Sequence, residues 1–282
     1  MTSLTAAKGQ RSSSAALKRI LKLVVLPLVI FVPLGYLLPK TLLLLGICGA
    51  YDVARNRKLN VELVRRYFLG NGIGSWLLSP FNAAMDILTL PYLNKGVYAL
   101  EDLPIGHQEE LRRVIETSKR EDLVGQVEKH VKQLPRSMIF FKWYGLNIDG
   151  FLKIPAFQQR WTYVQTIGVS VFNRKSSTSR HFGPLRATLR VLYNINDISD
   201  PSAFIVVGDK VNYWRDNKLF IFDDTLMHQS FNETEEARYC LFIDINRPSR
   251  INGVMTAIVR LICLITRPFN QRFYRNWKVL QR

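Results

Sequence analysis

The first long feature of the hydrophobic pattern is an apolar run from Leu23 to Tyr51, in which Lys40 is the only charge. A helix of about 20 apolar residues crosses a bilayer, so this run exceeds one span and falls short of two. Three prolines recur in it at every sixth residue: Pro27, Pro33 and Pro39. We therefore predict a basic tail over residues 1–22 and a membrane anchor over 23–51, formed by one tilted span or by a short hairpin that returns to the same leaflet.

The next part of the chain, residues 52–136, has helical patterns. An apolar stretch over 76–93 is broken by two prolines and by Asp86, so it predicts short helices that lie on a membrane or pack under the main domain. Between 106 and 133 charged and apolar residues interleave as in a solvated amphipathic helix. His107 and His130 fall in this part, and we expect both on the surface.

From residue 137 to 248 the pattern changes to short runs rich in β-branched and aromatic residues, separated by turn residues. The runs are SMIFFKWYG, WTYVQTIGVSVF, ATLRVLYNI, AFIVV, VNYW, KLFIF and RYCLFIDI. Many short strands at this spacing predict an all-β barrel or sandwich. This domain is the part of the chain in which we expect the chemistry.

The last segment, residues 249–282, is basic and aromatic. It begins with an apolar stretch from Val254 to Thr266 that contains Arg260 and is too short to span a bilayer. Arginines interleaved with aromatic residues follow it. This pattern is typical of a helix that lies in the plane of a membrane interface.

The charge distribution favours a membrane partner. The chain has 39 Lys and Arg against 22 Asp and Glu, which gives a net charge of +17. Residues 1–66 hold 11 basic and 2 acidic residues, 67–246 hold 20 of each, and 247–282 hold 8 basic and no acidic residues. Because the excess flanks the apolar stretches and leaves the central domain neutral, we predict an anionic lipid surface as the partner and no nucleic acid.

Two histidines in the β-rich part are candidates for a metal site. His181 opens the motif HFGP, where a turn precedes a strand, and His228 closes FDDTLMH, where a strand leads into two carboxylates. Two histidines at strand ends that converge at the mouth of a jelly roll are how a facial iron site is built. The spacing of 47 residues alone leaves open whether they share a metal or are structural.

The stretch from about Ser170 to Pro248 resembles the aspartyl/asparaginyl beta-hydroxylase family of iron(II)- and 2-oxoglutarate-dependent oxygenases. The matching pieces are HFGP, RATLRVLY, VGDKVNYW, KLFIFDDTLMHQSFN and RYCLFIDINRP, in that order. The resemblance implies a mainly β catalytic domain over 137–248, a double-stranded β-helix or cupin-like jelly roll with flanking helices. It also implies Fe(II), 2-oxoglutarate and O2 as cofactors.

The resemblance assigns roles to individual residues. His181 and His228 would be the iron ligands, Arg238 would pair with the distal carboxylate of 2-oxoglutarate, and Ser170 and Arg190 would make further co-substrate contacts. Gly183 stands where the usual facial triad has a carboxylate, and this family is similar in lacking that ligand. Asp223 and Asp224 then become candidates for orienting His228 or an iron-bound water, with Asp224 as the catalytic choice; a carboxylate that caps the turn is the alternative for Asp223.

The N-terminal arrangement resembles the branch of that family that hydroxylates lipid A at the 2-position of an acyl chain, and ornithine lipids are a related substrate. This implies a membrane-bound dioxygenase of the bacterial inner membrane whose catalytic domain faces the cytoplasm, where 2-oxoglutarate and reduced iron are found. One alternative is an aspartyl/asparaginyl hydroxylase that acts on a peptide. A second alternative is a membrane-bound jelly-roll binding protein without enzymatic activity.

Overall fold

A computed structural model describes residues 25–131, 134–150, 152–266 and 277–280. The chain divides into two compact units, residues 1–47 and 48–282. The predicted basic tail over 1–22 and the arginines and aromatic residues over 267–276 lie outside the described residues.

The predicted anchor is one continuous helix, α1 (Leu26–Ala54). Its three prolines do not end the helix, and its role as a membrane anchor stays a prediction. The segment Gly35–Ala54 is long and apolar enough to cross a membrane. Side chains along it such as Leu37, Leu43 and Ile47 are exposed.

Short helices follow α1. Three of them, α2 (Val61–Leu69), α3 (Ile73–Leu77) and α4 (Ser79–Leu88), come before a 3-10 turn at Leu100–Asp102. The single helix predicted between 106 and 133 is two helices, α5 (Ile105–Arg120) and α6 (Leu123–Val131), separated at Asp122, whose φ of 43° ends the helical path. A four-residue helix, α7 (Pro155–Gln158), and a longer one, α8 (Asn252–Thr266), complete the set in the described chain.

The expectation that His107 lies on the surface is wrong. Its imidazole is buried, stacks on the Tyr163 ring at 3.9 Å between centroids, and places Nε2 3.1 Å from the Asn246 carbonyl oxygen. The reason is that His107 lies one turn before Leu111 and two turns before Val114, on the face of α5 that packs against the sheet. His130 is exposed, as predicted.

The β-rich part folds into two antiparallel sheets. The strands are β1 (Val97–Tyr98), β2 (Arg136–Trp143), β3 (Leu146–Asn147), β4 (Val164–Phe172), β5 (Ser176–Ser177), β6 (Thr188–Asn194), β7 (Ala203–Val207), β8 (Lys210–Tyr213), β9 (Leu219–Phe222), β10 (His228–Asn232), β11 (Arg238–Asn246) and β12 (Lys278–Val279). The larger sheet has the order β1-β9-β6-β11-β4-β2-β12, with β3 paired to β2, and the smaller sheet has the order β5-β10-β7-β8. From β4 to β11 the chain alternates between the two sheets, except that β7 and β8 lie in the same sheet. This arrangement is a jelly roll, or double-stranded β-helix, as predicted.

The larger sheet is buried on both faces, and its strands divide their side chains between them with a period of two. In β11, Leu241 and Ile243 face the helices α5 and α6, whereas Arg238, Cys240 and Phe242 face the smaller sheet. The same alternation in β4 and β6 turns Ser170 and Arg190 toward the smaller sheet. The interior of the sandwich therefore receives polar side chains at chosen positions of otherwise apolar strands.

Within the unit of residues 48–282, a buried ion network joins the last turn of α1 and the helix α4 to the sandwich. Arg186 lies wholly inside, where it pairs with Asp52 of α1, donates to Asp86 of α4 at 2.7 Å, and lies 3.6 Å from Asp223. Three arginines meet three aspartates in this network. They are Arg55, Arg186 and Arg247, and Asp52, Asp86 and Asp223. The balance of charge allows the burial, since unpaired ions would be costly there.

Replacing Arg186 by Met is expected to lower the free energy of unfolding by about 3–5 kcal/mol, because carboxylates that the guanidinium pairs with remain buried without a counter-charge. Urea unfolding of the full chain in detergent measures the change. Arg215→Met is the control, because Arg215 pairs with Asp216 on the surface, and we expect a change within about 0.5 kcal/mol. Equal effects of the two substitutions would show that the network does not stabilise the fold.

Candidate active site

A cavity of about 510 Å³ lies inside the sandwich. Its polar lining includes Ser170, Thr178, Ser230 and Arg238. Apolar side chains of the flanking helices also line it, and the two candidate histidines lie on its wall together with Asp224 and Arg190. All six residues predicted to form the site therefore line one cavity: His181, His228, Asp224, Ser170, Arg190 and Arg238.

His181 and His228 come together through their own backbones. Each backbone N–H donates to the other's carbonyl oxygen, at 3.0 and 2.9 Å, which forms an isolated antiparallel bridge at the start of β10. The imidazole centroids are 4.2 Å apart. The 47-residue separation is thus closed by a pair of hydrogen bonds that does not depend on the side chains.

Both imidazoles present Nε2 as the atom for a ligand. Nδ1 of His181 lies 2.7 Å from the Ser179 carbonyl oxygen, and Nδ1 of His228 lies 2.9 Å from that of Leu226. A carbonyl only accepts, so Nδ1 carries the proton and Nε2 keeps its lone pair. Burial lowers the pKa of both rings, which favours the neutral form that a metal ion requires.

Asp224 occupies the space that a side chain at position 183 would need. A Cβ built on Gly183 would lie 2.2–2.4 Å from the carboxylate atoms of Asp224. Oδ2 of Asp224 accepts a hydrogen bond from Arg190 Nη2 at 3.0 Å, and Oδ1 has no partner among the residues that the structure describes. Burial raises the pKa of Asp224 to about 7, although the nearby Arg190 acts in the opposite direction.

Gly183→Ala is expected to lower turnover at least about tenfold and stability by about 1–3 kcal/mol, because the new Cβ displaces the Asp224 carboxylate from Arg190. Substrate consumption and thermal unfolding in detergent measure the two effects. Gly74→Ala is a matched control, since Gly74 also lines the cavity and has open space where its Cβ would lie. If both variants keep full activity, the position of the Asp224 carboxylate does not matter for turnover.

Asp223 points away from the cavity. Its Oδ1 accepts from the backbone N–H and the hydroxyl of Thr225, and its Oδ2 accepts from Arg55 Nη2 and Asn94 Nδ2. The arginines hold the pKa of this carboxyl below its usual range, although burial opposes them. Of the two roles predicted for Asp223, the structure places it in the turn and in the ion network.

Arg238 is a buried cation that lacks a carboxylate partner among the described residues. Its Nη2 donates to Ser230 Oγ at 2.9 Å, whereas Nε and Nη1 have no partner in the described part of the chain. The guanidinium packs over the rings of Phe172 and Trp214 at 4.3 and 5.0 Å. Because a buried guanidinium with unpaired donors is costly, the site fits a carboxylate that both completes its hydrogen bonds and balances its charge.

Arg190 differs from Arg238 because its charge is already balanced. Nε donates to Asp244 Oδ1 at 2.7 Å and Nη2 to Asp224 Oδ2, while the guanidinium lies 3.7 Å over the Phe242 ring. Ser170 donates from its hydroxyl to the Cys240 carbonyl oxygen at 3.3 Å. The co-substrate roles of these two residues stay predictions.

The sequence did not reveal Ser230 and Thr178, which both line the cavity and are joined by a hydrogen bond from the Ser230 backbone N–H to Thr178 Oγ1 at 3.0 Å. Ser230 is two residues after His228 on β10 and so faces the same side. Recognising HQSFN as a strand would have found it. Within the described residues no group of three or more His, Cys, Asp and Glu side chains is arranged to hold a metal ion. His181 and His228 present two imidazoles to the cavity.

Comparison with known proteins locates the similarity in the β-domain. Residues 150–248 match the family described as aspartyl/asparaginyl beta-hydroxylase. The ornithine lipid ester-linked acyl 2-hydroxylase of Rhizobium tropici is 30% identical over 112 residues, which are 37% of this chain and 40% of that protein. The match therefore covers less than half of the length of this relative.

Similar solved structures include a salicylate 1,2-dioxygenase from Pseudaminobacter salicylatoxidans, with a TM-score of 0.29 and 12% identity over 60% of this chain and 39% of that chain. A cupin 2 domain-containing protein from Halorhodospira halophila has a TM-score of 0.26 and 13% identity over 42% of this chain and 79% of its own.

Proposed function

Because residues 150–248 belong to the aspartyl/asparaginyl beta-hydroxylase family, we propose that the cavity is the centre of an iron(II)- and 2-oxoglutarate-dependent dioxygenase that hydroxylates a membrane lipid acyl chain at its 2-position. The observation that carries the proposal is the presence, in one cavity, of two imidazoles with free Nε2 lone pairs and one buried arginine without an anion. Lipid A or an ornithine lipid is the proposed substrate.

The residues divide the work between them. His181 and His228 would hold iron through Nε2, and Arg238 with Ser230 would bind the distal carboxylate of 2-oxoglutarate. When bound, the metal and the 2-oxo acid supply the oxidative chemistry, which couples loss of carbon dioxide from the acid to insertion of one oxygen atom from O2 into a C–H bond. The protein's contribution is to place the groups and to exclude water.

Asp224 and Arg190 complete the wall beside the histidines. Arg190 holds Asp224 Oδ2 and is itself fixed by Asp244 at 2.7 Å. Asp224 Oδ1 remains free in the described structure to accept a hydrogen bond from a water or a substrate group. We assign to Asp224 the role of orienting such a group rather than that of a metal ligand, in line with the two-histidine donor set.

Two observations favour a lipid over a peptide. The relative from Rhizobium tropici is named for the hydroxylation of a lipid acyl chain, and the cavity lining includes apolar side chains such as Leu78, Phe81, Ile262 and Ile265. We propose that α1 anchors the protein in a bacterial inner membrane. The catalytic domain then faces the cytoplasm, where 2-oxoglutarate and reduced iron are supplied.

Mass spectrometry of lipids extracted from cells with and without the full chain tests the function. We expect an acyl-containing species heavier by about 16 Da, one oxygen atom, with the oxygen next to the acyl carbonyl. Unchanged lipids together with that gain on a co-expressed peptide would make the protein a peptide hydroxylase. Purified protein that neither binds iron nor consumes 2-oxoglutarate would instead be a binding protein.

A further inference from the structure

Three helices of the second unit, residues 48–282, carry apolar side chains on their outer faces. In α8 the inner face holds Met255, Val259 and Cys263, which are buried, while the outer face is apolar as well. A helix on the surface of a soluble protein normally presents polar residues outward. The exposed apolar residues of α3, α4 and α8 are Ile73, Leu77, Ile87, Leu88, Val254, Leu261, Leu264 and Ile265.

These helices lie side by side on the molecule. Met85 of α4 shares one buried apolar cluster with Met255 and Val259 of α8, together with Leu185 and Ala187. Leu185 follows directly on the HFGP motif that begins with His181. The outer faces of α4 and α8 therefore belong to one apolar surface next to the HFGP motif.

The cavity opens within this apolar surface. Leu78, between α3 and α4, and Ile265, on α8, both line the cavity and are 40% and 62% exposed. Phe81 and Ile262 line the cavity behind them and are partly buried. The same cavity is lined by the two histidines, by Arg238 and by the hydroxyls of Ser170, Thr178 and Ser230.

The charges of the same helices suit a lipid surface. Across residues 73–88 and 252–266 the sequence holds one acid, Asp86, and one base, Arg260. Asp86 is held by Arg186 and Arg247 and is not available at the surface as a free negative charge. Arg260 is exposed, so the charge that these helices present at the surface is positive and attracts anionic headgroups.

We infer that the mouth between Leu78 and Ile265 opens into the bilayer and admits a lipid acyl chain directly from the membrane into the cavity. The occupant of this surface is the bilayer itself, because α3, α4 and α8 expose apolar side chains and the exposed side chains of Leu78 and Ile265 also line the cavity. The inference deepens the proposed function and rests on it for the identity of the chain as the substrate.

Photo-crosslinking from the membrane tests the portal. The full chain is reconstituted into vesicles of phosphatidylethanolamine and phosphatidylglycerol that contain a phospholipid with a diazirine at the end of one acyl chain. Labelled peptides are then identified by mass spectrometry. We expect labels inside the cavity, on residues such as Phe81, Leu192 and Phe242. Labels confined to outer residues such as Leu261 and Leu264, or no labels, would overturn the inference.

A pair of variants tests the mouth itself. Ile265→Glu places a carboxylate at the entrance, and we expect labelling of the cavity to fall at least about fivefold, because an apolar chain must then pass a charge. Val211→Glu is the matched control, since Val211 is 47% exposed on β8, at the edge of the smaller sheet, and does not line the cavity. Equal labelling in the two variants would show that the chain does not enter past Ile265.

The portal and the proposed function fail in different ways. Cavity labelling without any oxygenated lipid would support the portal and contradict the proposed hydroxylase activity. Oxygenated lipid with labels only on the outer face would support the activity and contradict the portal, because the substrate would then reach the histidines by another route.

Discussion

Replacing His181 or His228 by Ala is expected to abolish turnover, with a loss on the order of 10³-fold or more, because either change leaves a single protein donor for the metal. The fold should persist, since the two residues are joined through backbone N–H and C=O groups that alanine retains. The double variant should be no worse than either single variant, because the two imidazoles act as one unit.

Iron content and 2-oxoglutarate consumption of the full chain in detergent measure these losses. His130→Ala is the control, because His130 is exposed on α6 and is remote in sequence from both motifs; we expect wild-type iron content and turnover. Thermal unfolding of each variant separates a lost ligand from a lost fold. A single His variant that keeps iron and a tenth of the activity would contradict the two-histidine site.

The jelly roll could be predicted from the sequence because its longer strands carry the expected signals. Runs such as ATLRVLYNI and RYCLFIDI became β6 and β11. The strand that carries His228 was not recognised, because HQSFN lacks an apolar alternation. It is held in place by its neighbours β7 and β5, whose hydrogen bonds cannot be seen in the local sequence.

The ion network shows the same limit for charged residues. Asp52, Asp86, Arg186 and Asp223 are spread over more than half of the chain, and no local pattern connects them. Asp223 and Asp224 illustrate the point at the smallest scale. They are adjacent in sequence, yet one joins the network and the other lines the cavity, because neighbouring side chains at the end of a strand point in opposite directions.

The histidine pair and Arg238 could be predicted from the sequence for a different reason. Motifs around them resemble a family, and that resemblance supplied roles that burial and spacing alone leave open. The structure adds the physical grounds. Two carbonyl oxygens set the tautomers of the histidines, and two Arg238 donors have no partner within the described chain, which suits the proposed binding of an anion.

Arg238→Met is expected to move activity and stability in opposite directions. Turnover at a fixed, subsaturating 2-oxoglutarate concentration should fall roughly 10²- to 10⁴-fold, because about 3–5 kcal/mol is lost when one partner of a buried ion pair is removed. Without co-substrate, the thermal midpoint should stay the same or rise. The variant removes a buried cation with unpaired donors, and the methionine side chain keeps the packing against Phe172 and Trp214.

Arg190→Met provides the contrast, because Arg190 already has two carboxylate partners. Its removal leaves Asp224 and Asp244 without their counter-charge, so we expect the thermal midpoint to fall. Added 2-oxoglutarate should raise the thermal midpoint of the wild-type protein and leave that of Arg238→Met unchanged, because a ligand stabilises only a protein that binds it. If Arg238→Met is destabilised as strongly as Arg190→Met, Arg238 has a structural partner and does not bind the carboxylate of a co-substrate.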